Sequence, residues 1–183
     1  MLRNLIHLGG RLLIISLIAG LALGATYYVT KEPIVAQTRL AAEAARNKVF
    51  QGEFIQNTEQ TLPENIASLY LARGMEDGYV MEVEASGYGG RFLVTVGVTA
   101  GGTVTGISVG DNSETPGLGK NVQKPEFVEQ FAGKNGVVTV KKGGGATGNE
   151  VDAITGATIS TQAVVDALNT ARAFALTMGG EQQ

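Results

Sequence analysis

Small and hydroxylated residues are concentrated in one segment, directly before a predicted helix. The segment runs DAITGATIST from Asp152 to Thr161. Ser160 or Thr161 suits a helix cap, because a hydroxyl there accepts from free backbone N–H groups. The same N–H groups, at the positive end of the helix dipole, also suit a phosphate, which the hydroxyl of Thr158 could contact or esterify. The segment therefore predicts either a capped turn or a phosphate site.

A second segment, SETPGLGK from Ser113 to Lys120, combines turn residues with polar groups. Its Thr-Pro-Gly stretch is typical of a type II turn. Alternatively, the carboxylate of Glu114, the hydroxyl of Thr115 and the loop amides surround one apolar side chain, Leu118. That mixture suits a planar heteroaromatic ligand, with an apolar group against its face and polar groups at its edge.

Composition excludes several kinds of chemistry. The chain of 183 residues has no cysteine, which excludes disulfides, thiolate catalysis and cysteine-ligated metal clusters. Its one histidine, His7, lies near the N-terminus, so neither a Ser-His-Asp triad nor a multi-histidine metal site can form within one chain. A net charge of −3 gives no basic field for a nucleic-acid partner.

A long apolar run lies near the N-terminus. The 19 residues from Leu12 to Thr30 carry no charge, and as a helix they would span about 28 Å, close to the ~30 Å hydrocarbon thickness of a bilayer. Arg3 and Arg11 precede the run, which favours a cytoplasmic N-terminus and an exported remainder. We therefore predict a single-pass anchor in the plasma or inner membrane; a signal peptide cleaved before Ala25 is the alternative.

The chain after the anchor predicts a connector followed by a globular domain. Pro33 fits the first turn of a new helix, and the stretch from Gln51 to Gly78 predicts at most one short helix, near Ile66–Leu71. The predicted divisions are a cytoplasmic N-terminus (1–11), a transmembrane helix (12–30), a helical connector (31–78), a globular domain (79–177) and a C-terminal tail (178–183).

The globular domain begins with alternating apolar and polar residues. Three consecutive strands are predicted, from Tyr79, from Phe92 and over Thr103–Val109, with short antiparallel connections. A fourth strand is predicted over Val137–Lys141, and a last helix from about Ser160 to Ala175. Because the strands come as a group, the fold class is α+β, an antiparallel sheet packed against helices.

Three motifs in this order resemble the FMN-binding domain family: Gly87-Tyr88-Gly89-Gly90, the loop of residues 113–119, and DAITGAT at residues 152–158. The last is the most specific, because it resembles the flavinylation sequence Asp-x-x-(Ser/Thr)-Gly-Ala-(Ser/Thr). From the anchor to about Thr177, the chain is similar to the branch of this family that belongs to Rnf complexes, the ion-translocating ferredoxin:NAD oxidoreductases.

The resemblance implies that the cofactor is covalent FMN. In that family a flavin transferase moves FMN from FAD to the last hydroxyl of the motif, which is Thr158 here. Asp152 would be the motif aspartate, and Thr155, Gly156 and Ala157 would supply a backbone that another group approaches closely.

The other residues implied by the resemblance belong to the second segment. Glu114, Thr115 and Leu118 would flank the isoalloxazine ring. No metal ligand and no catalytic residue toward a diffusing substrate is implied.

The implied function is electron transfer within a membrane-bound complex of several proteins. Its partners would be the other membrane proteins of the complex and, during maturation, the flavin transferase, and the FMN domain would lie on the outer face of the membrane. Three alternatives stay open: the FMN-carrying C component of the sodium-translocating NADH:quinone oxidoreductase, a membrane-anchored module that binds a ligand without redox chemistry, and a purely structural component.

Overall fold

Two compact units make up the structure, with their boundary between Ala42 and Glu43. A computed structural model describes residues 2–58, 60–73 and 77–180, with side chains from residue 8 to residue 179. The first unit is helical, and the second contains the end of the first helix, the strands found among the described residues and the other helices.

Helix α1 spans Leu2–Val49. From Leu8 onward it is long and apolar enough to cross a membrane, and its most apolar window has a mean hydropathy of 2.1. The predicted apolar helix is therefore confirmed as a candidate membrane span.

Pro33 lies inside α1 and does not begin a new helix, contrary to the sequence-based expectation. A proline removes one N–H donor from the helical hydrogen bonds. The leucine- and alanine-rich sequence on both sides has high helix propensity, and the helix continues to Val49.

A five-stranded antiparallel sheet forms the centre of the second unit, in the order β1-β2-β3-β4-β5. Its strands are Glu53–Gln56 (β1), Ile66–Arg73 (β2), Gly78–Ser86 (β3), Arg91–Thr99 (β4) and Val104–Val109 (β5). The three strands predicted from the alternating pattern are confirmed as β3, β4 and β5.

The short helix predicted near Ile66–Leu71 is wrong, because this stretch is strand β2. Leu69 is fully buried and lies opposite Met81 of β3. The pairing is irregular between Ile66 and Ser68, which interrupts the period of two that identifies a strand in sequence. The predicted connector therefore contributes two strands to the sheet.

One face of the sheet packs against helix α3, Thr158–Gly180. Val164, Leu168 and Ala171 of α3 are completely buried, as the predicted spacing requires. The helix extends beyond the predicted end at Ala175, and Met178 is only 6% exposed. The prediction that a tail begins at residue 178 is therefore wrong; residues 181–183 lie outside the described part of the chain.

The segment between β5 and α3 contains short elements. A 3₁₀ helix at Gly119–Gln123 leads into helix α2, Pro125–Val128, and a second 3₁₀ turn at Glu129–Phe131. The rings of Phe127 and Phe131 meet edge to face, with centroids 5.2 Å apart. Strands β6 (Thr139–Lys141) and β7 (Glu150–Asp152) then form a separate parallel pair, so the fourth predicted strand begins two residues late and lies outside the main sheet.

The opposite face of the main sheet is covered by the end of α1. Val49 and Phe50 are 2% and 7% exposed and pack with Ala72 and Val80 in a small second core. Beside them, the guanidinium of Arg46 lies 4.4 Å from the centroid of the Tyr70 ring.

Candidate functional site

The three motifs identified in the sequence meet at one cavity of about 570 Å³. Its volume falls within the ~300–1,000 Å³ of typical ligand sites. The first motif contributes Tyr88, from the turn between β3 and β4. The second motif contributes residues of the loop 113–119, and the third contributes the residues that lead into α3. The lining residues are Tyr88, Glu114, Thr115, Leu118, Gly119, Gly156, Ala157, Thr158, Ile159 and Ser160.

The first residue of α3 is Thr158, and its half-buried side chain lines the cavity. The first helical hydrogen bond runs from Thr161 N to Ala157 O, at 3.0 Å. The N–H groups of Thr158, Ile159 and Ser160 therefore precede the helical hydrogen bonds and belong to the positive end of the helix dipole. A hydroxyl, free N–H groups and a favourable dipole thus occur together, as a phosphate site requires.

The predicted capping role of Ser160 or Thr161 is wrong. The Thr161 hydroxyl accepts from Ile154 N at 3.1 Å and donates to Ala157 O at 3.0 Å. The Ser160 hydroxyl donates to Oε2 of Glu114 at 2.6 Å. Both hydroxyls therefore hold neighbouring segments in place and leave the first-turn N–H groups uncapped.

Glu114, in the second motif, is only 2% exposed and joins the first motif to the first turn of α3. Its Oε1 accepts from Gly89 N at 2.9 Å, and its Oε2 accepts from Ser160. None of the ion pairs found among the described residues includes it. Its carboxylate is therefore buried with hydrogen-bond donors and without a cation.

Two glycines make room for that carboxylate. A Cβ at Gly87 would collide with Oε1 of Glu114 and would lie 2.7 Å from a ring carbon of Phe92. A Cβ at Gly119 would collide with Oε2 of Glu114 and lie 2.8 Å from Ser160 Oγ. Any larger residue at position 87 or 119 would displace the carboxylate of Glu114.

Gly156 allows close contact between the second and third motifs. Its φ of +77° is in the left-handed region that favours glycine. A Cβ there would lie 3.1 Å from Cδ2 of Leu118. Ala157, the next residue, is buried at 6% exposure. Close approach of a flavin to this small-residue backbone stays a prediction.

Asp152 and Thr155 do not line this cavity. Oδ1 of Asp152 accepts from Ala146 N at 2.8 Å, and its own N–H donates to Oε1 of Gln130 at 2.7 Å. Asp152 therefore orders the loop before β7, and Thr155 lies exposed in the turn before α3. Of the eight predicted site residues, the structure brings together Glu114, Thr115, Leu118, Gly156, Ala157 and Thr158.

Sequence reasoning did not assign Tyr88, Gly119, Ile159 or Ser160 to the site. Tyr88 and Gly119 lie inside two of the three motifs, so the motifs could have pointed to them as site residues. Nothing in the sequence pointed to Ile159, because an apolar residue in a first helical turn usually faces the core.

The cavity residues fit a flavin mononucleotide. Tyr88, Leu118 and Ile159 are 74%, 43% and 57% exposed, which leaves apolar area for a ring system to cover. The N–H groups at the start of α3 suit its phosphate. Among the residues whose side chains are described, no group of three or more His, Asp or Glu is placed to hold a metal ion.

Comparison with known proteins agrees with this geometry. The FMN-binding domain model matches residues 87–173. The G component of the Na⁺-translocating ferredoxin:NAD⁺ oxidoreductase complex of Acetobacterium woodii is 32% identical, over 88% of this chain and 87% of that protein. The chain belongs to the family of G components of ion-translocating oxidoreductase complexes. The resemblance inferred from the motifs is thereby confirmed.

Other members of the family are similarly close. The G component of an ion-translocating oxidoreductase complex from Methanosarcina acetivorans is 36% identical, over 87% of this chain and 88% of that protein.

Among solved structures, NqrC of Shewanella oneidensis superposes with a TM-score of 0.56 at 22% identity, over 63% of this chain and 61% of that one. That likeness confirms the α+β fold.

Proposed function

We propose that this chain is the FMN-carrying electron-transfer component of a membrane-bound, ion-translocating ferredoxin:NAD oxidoreductase complex of the Rnf type. The observation that carries the proposal is the position of Thr158, whose side chain lines the cavity at the uncapped start of α3. Membership of the family of G components supports the assignment to this complex.

FMN would be joined to Thr158 through a phosphoester. A flavin transferase would transfer the FMN group of FAD to the Thr158 hydroxyl: the Thr158 oxygen would bond to the FMN phosphorus, the pyrophosphate bond would break, AMP would leave, and the hydroxyl proton would be released. The N–H groups that begin α3 would then hold the phosphate oxygens. No residue of this chain needs to act on a diffusing substrate.

When bound, FMN supplies a centre that accepts and donates one or two electrons. The residues of this chain would bind and orient it. Leu118 and Ile159 offer apolar contacts, and the backbone around Gly156 lets the second and third motifs meet closely. The other membrane proteins of the complex would be its electron-transfer partners.

We also propose that α1 is retained as a single membrane span, with a cytoplasmic N-terminus and the FMN domain on the outer face. Arg3 and Arg11 before the apolar run favour this orientation. A covalent bond would keep the flavin from being lost to the surroundings on that side.

The decisive experiment is fluorescence of the full chain on a denaturing gel after expression with its flavin transferase. The wild type should give a band under ultraviolet light, Thr158→Ala should be dark, and Thr158→Ser should stay fluorescent because it keeps a hydroxyl. Thr155→Ala is the matched control and should keep labelling. Mass spectrometry of the tryptic peptide that ends at Arg172 should place the flavin on residue 158.

Two results would overturn the proposal. Full fluorescence of Thr158→Ala would exclude this residue as the acceptor. A dark wild-type chain from native membranes would favour a ligand-binding module without redox chemistry, or a structural component.

A further inference from the structure

The proposed function gives the buried carboxylate of Glu114 no electrostatic role, and its surroundings are unusual for a charged group. It is 2% exposed and accepts hydrogen bonds through both oxygens, from Gly89 N and Ser160 Oγ. Both carboxylate oxygens therefore have a hydrogen-bond partner. Buried charges are normally paired with a cation, and no ion pair among the described residues involves Glu114.

We propose that Glu114 is a positioning residue whose negative charge makes the flavin of this cavity harder to reduce. The proposal rests on the proposed function, since it concerns a flavin held at Thr158. Glu114 lines the same cavity as Thr158 and is joined to Ser160, two residues later on the first turn of α3.

The physical reason is electrostatic. Reduction adds negative charge to the flavin, and a nearby carboxylate disfavours that charge. The repulsion between two charges grows as the surrounding dielectric constant falls from that of water toward that of a protein interior. Because Glu114 is shielded from solvent, and no ion pair within the described part of the chain offsets its charge, its effect is larger than that of an exposed carboxylate, which water and salt screen.

The two hydrogen bonds also explain how the charge is held in place. They tie the carboxylate to the turn that carries Tyr88 and to the helix that carries Thr158. The glycines at 87 and 119 leave the space that it occupies. The charge therefore has a fixed position relative to the residues that line the cavity.

The test is the midpoint potential of the flavin in the purified, flavin-loaded full chain, measured by spectroelectrochemical titration. Glu114→Gln keeps the shape of the side chain, and its amide can accept from one of the two donors. Its potential should move to a more positive value than that of the wild type. Glu84→Gln is the control, because this carboxylate is part-exposed and already paired with Arg91 at 3.0 Å; its potential should stay at the wild-type value.

A folded, loaded Glu114→Gln chain with the wild-type potential would overturn the proposal, as would an equal shift in Glu84→Gln. If Glu114→Gln does not fold, as judged by circular dichroism, the double variant Glu114→Met/Ser160→Ala decides, because it removes the carboxylate together with the hydroxyl that contacts it. Its potential should also be more positive than that of the wild type. A folded, loaded double variant with the wild-type potential would then overturn the proposal.

These outcomes are separate from failure of the proposed function. Absence of covalent flavin from the wild type would contradict the proposed function itself. A loaded chain whose potential does not respond to Glu114 would contradict only this inference.

Discussion

Asn169 of α3 binds the backbone of Val138 with both ends of its side-chain amide. Its Oδ1 accepts from Val138 N at 2.9 Å, and its Nδ2 donates to Val138 O at 2.8 Å. Val138 is 1% exposed, so its backbone groups depend on this amide. The side chain takes the place of a neighbouring strand, and β6 begins only at the next residue.

Replacing Asn169 should therefore destabilise the fold. Asn169→Ala leaves a buried N–H and a buried C=O without partners, and we expect the free energy of unfolding to fall by about 1–3 kcal/mol. The measurement is denaturant unfolding of the full chain in detergent, followed by circular dichroism. Gln162→Ala is the control on the same helix, since its exposed amide contacts Asp166. An equal fall in the free energy of unfolding in both variants would contradict a structural role for the Asn169 amide.

The glycine at position 97 should be intolerant of a side chain. A Cβ there would lie 2.6 Å from the carbonyl oxygen of Val49 and would also meet the Thr105 hydroxyl, which itself donates to that carbonyl. Gly97→Ala should lower the thermal midpoint, with a loss of about 1–3 kcal/mol typical of overpacking. Gly101→Ala, whose nearest new contact is 3.8 Å away, should be close to neutral, and a Gly97→Ala chain as stable as Gly101→Ala would refute the close approach.

Acid should weaken the fold in part through Glu150. The backbone N–H of Thr147 and the Lys141 ammonium hold the pKa of Glu150 below its ordinary value of 4.5. A lowered folded-state pKa contributes stability above the ordinary value, and this is lost as the pH falls through the lowered value. The loss of stability between neutral pH and about pH 3 should be smaller in Glu150→Gln than in wild type.

The control for the acid experiment is Glu126→Gln, which removes an exposed carboxylate that has no ion pair among the described residues. It should keep the wild-type pH dependence. Because Glu150 lies near the surface, we expect Glu150→Gln and wild type to differ only slightly in how their stability depends on pH. Identical profiles would contradict a contribution of Glu150 to acid sensitivity.

Membrane orientation can be measured because the chain has no cysteine. Val137 is 69% exposed, so a cysteine there should react in intact cells or spheroplasts with a maleimide that does not cross the membrane. A cysteine at Asn4, before the apolar run, should react only after the membrane is permeabilised. The reverse labelling pattern would invert the proposed topology.

The parts of the fold that the sequence predicted are those governed by local periodicity. Strands β3, β4 and β5 alternate regularly, and α3 repeats apolar residues at helical spacing, so burial follows from the pattern alone. Strand β2 was missed because its pairing is irregular near Ile66. The early end predicted for α3 was wrong because Met178 gains its burial from the sheet, which no local pattern reveals.

Part of the candidate site could likewise be predicted from the sequence, and part could not. Thr158, Gly156 and the loop around Leu118 could be selected from residue types and motif spacing, since hydroxyls and glycines before a helix suggest an anion site. Asp152 was placed with them by motif, yet its contacts are with Ala146 N and Gln130.

The sequence by itself determined an apolar helix long enough to cross a membrane, an antiparallel sheet packed against helices, and a hydroxyl at the start of the last helix. Those properties depend on the order and period of side chains. Only the tertiary structure decided that Glu114 is buried against Gly89 and Ser160, 25 and 46 residues away. The burial of a carboxylate and its hydrogen-bond partners depend on segments distant in the chain, and no local pattern encodes them.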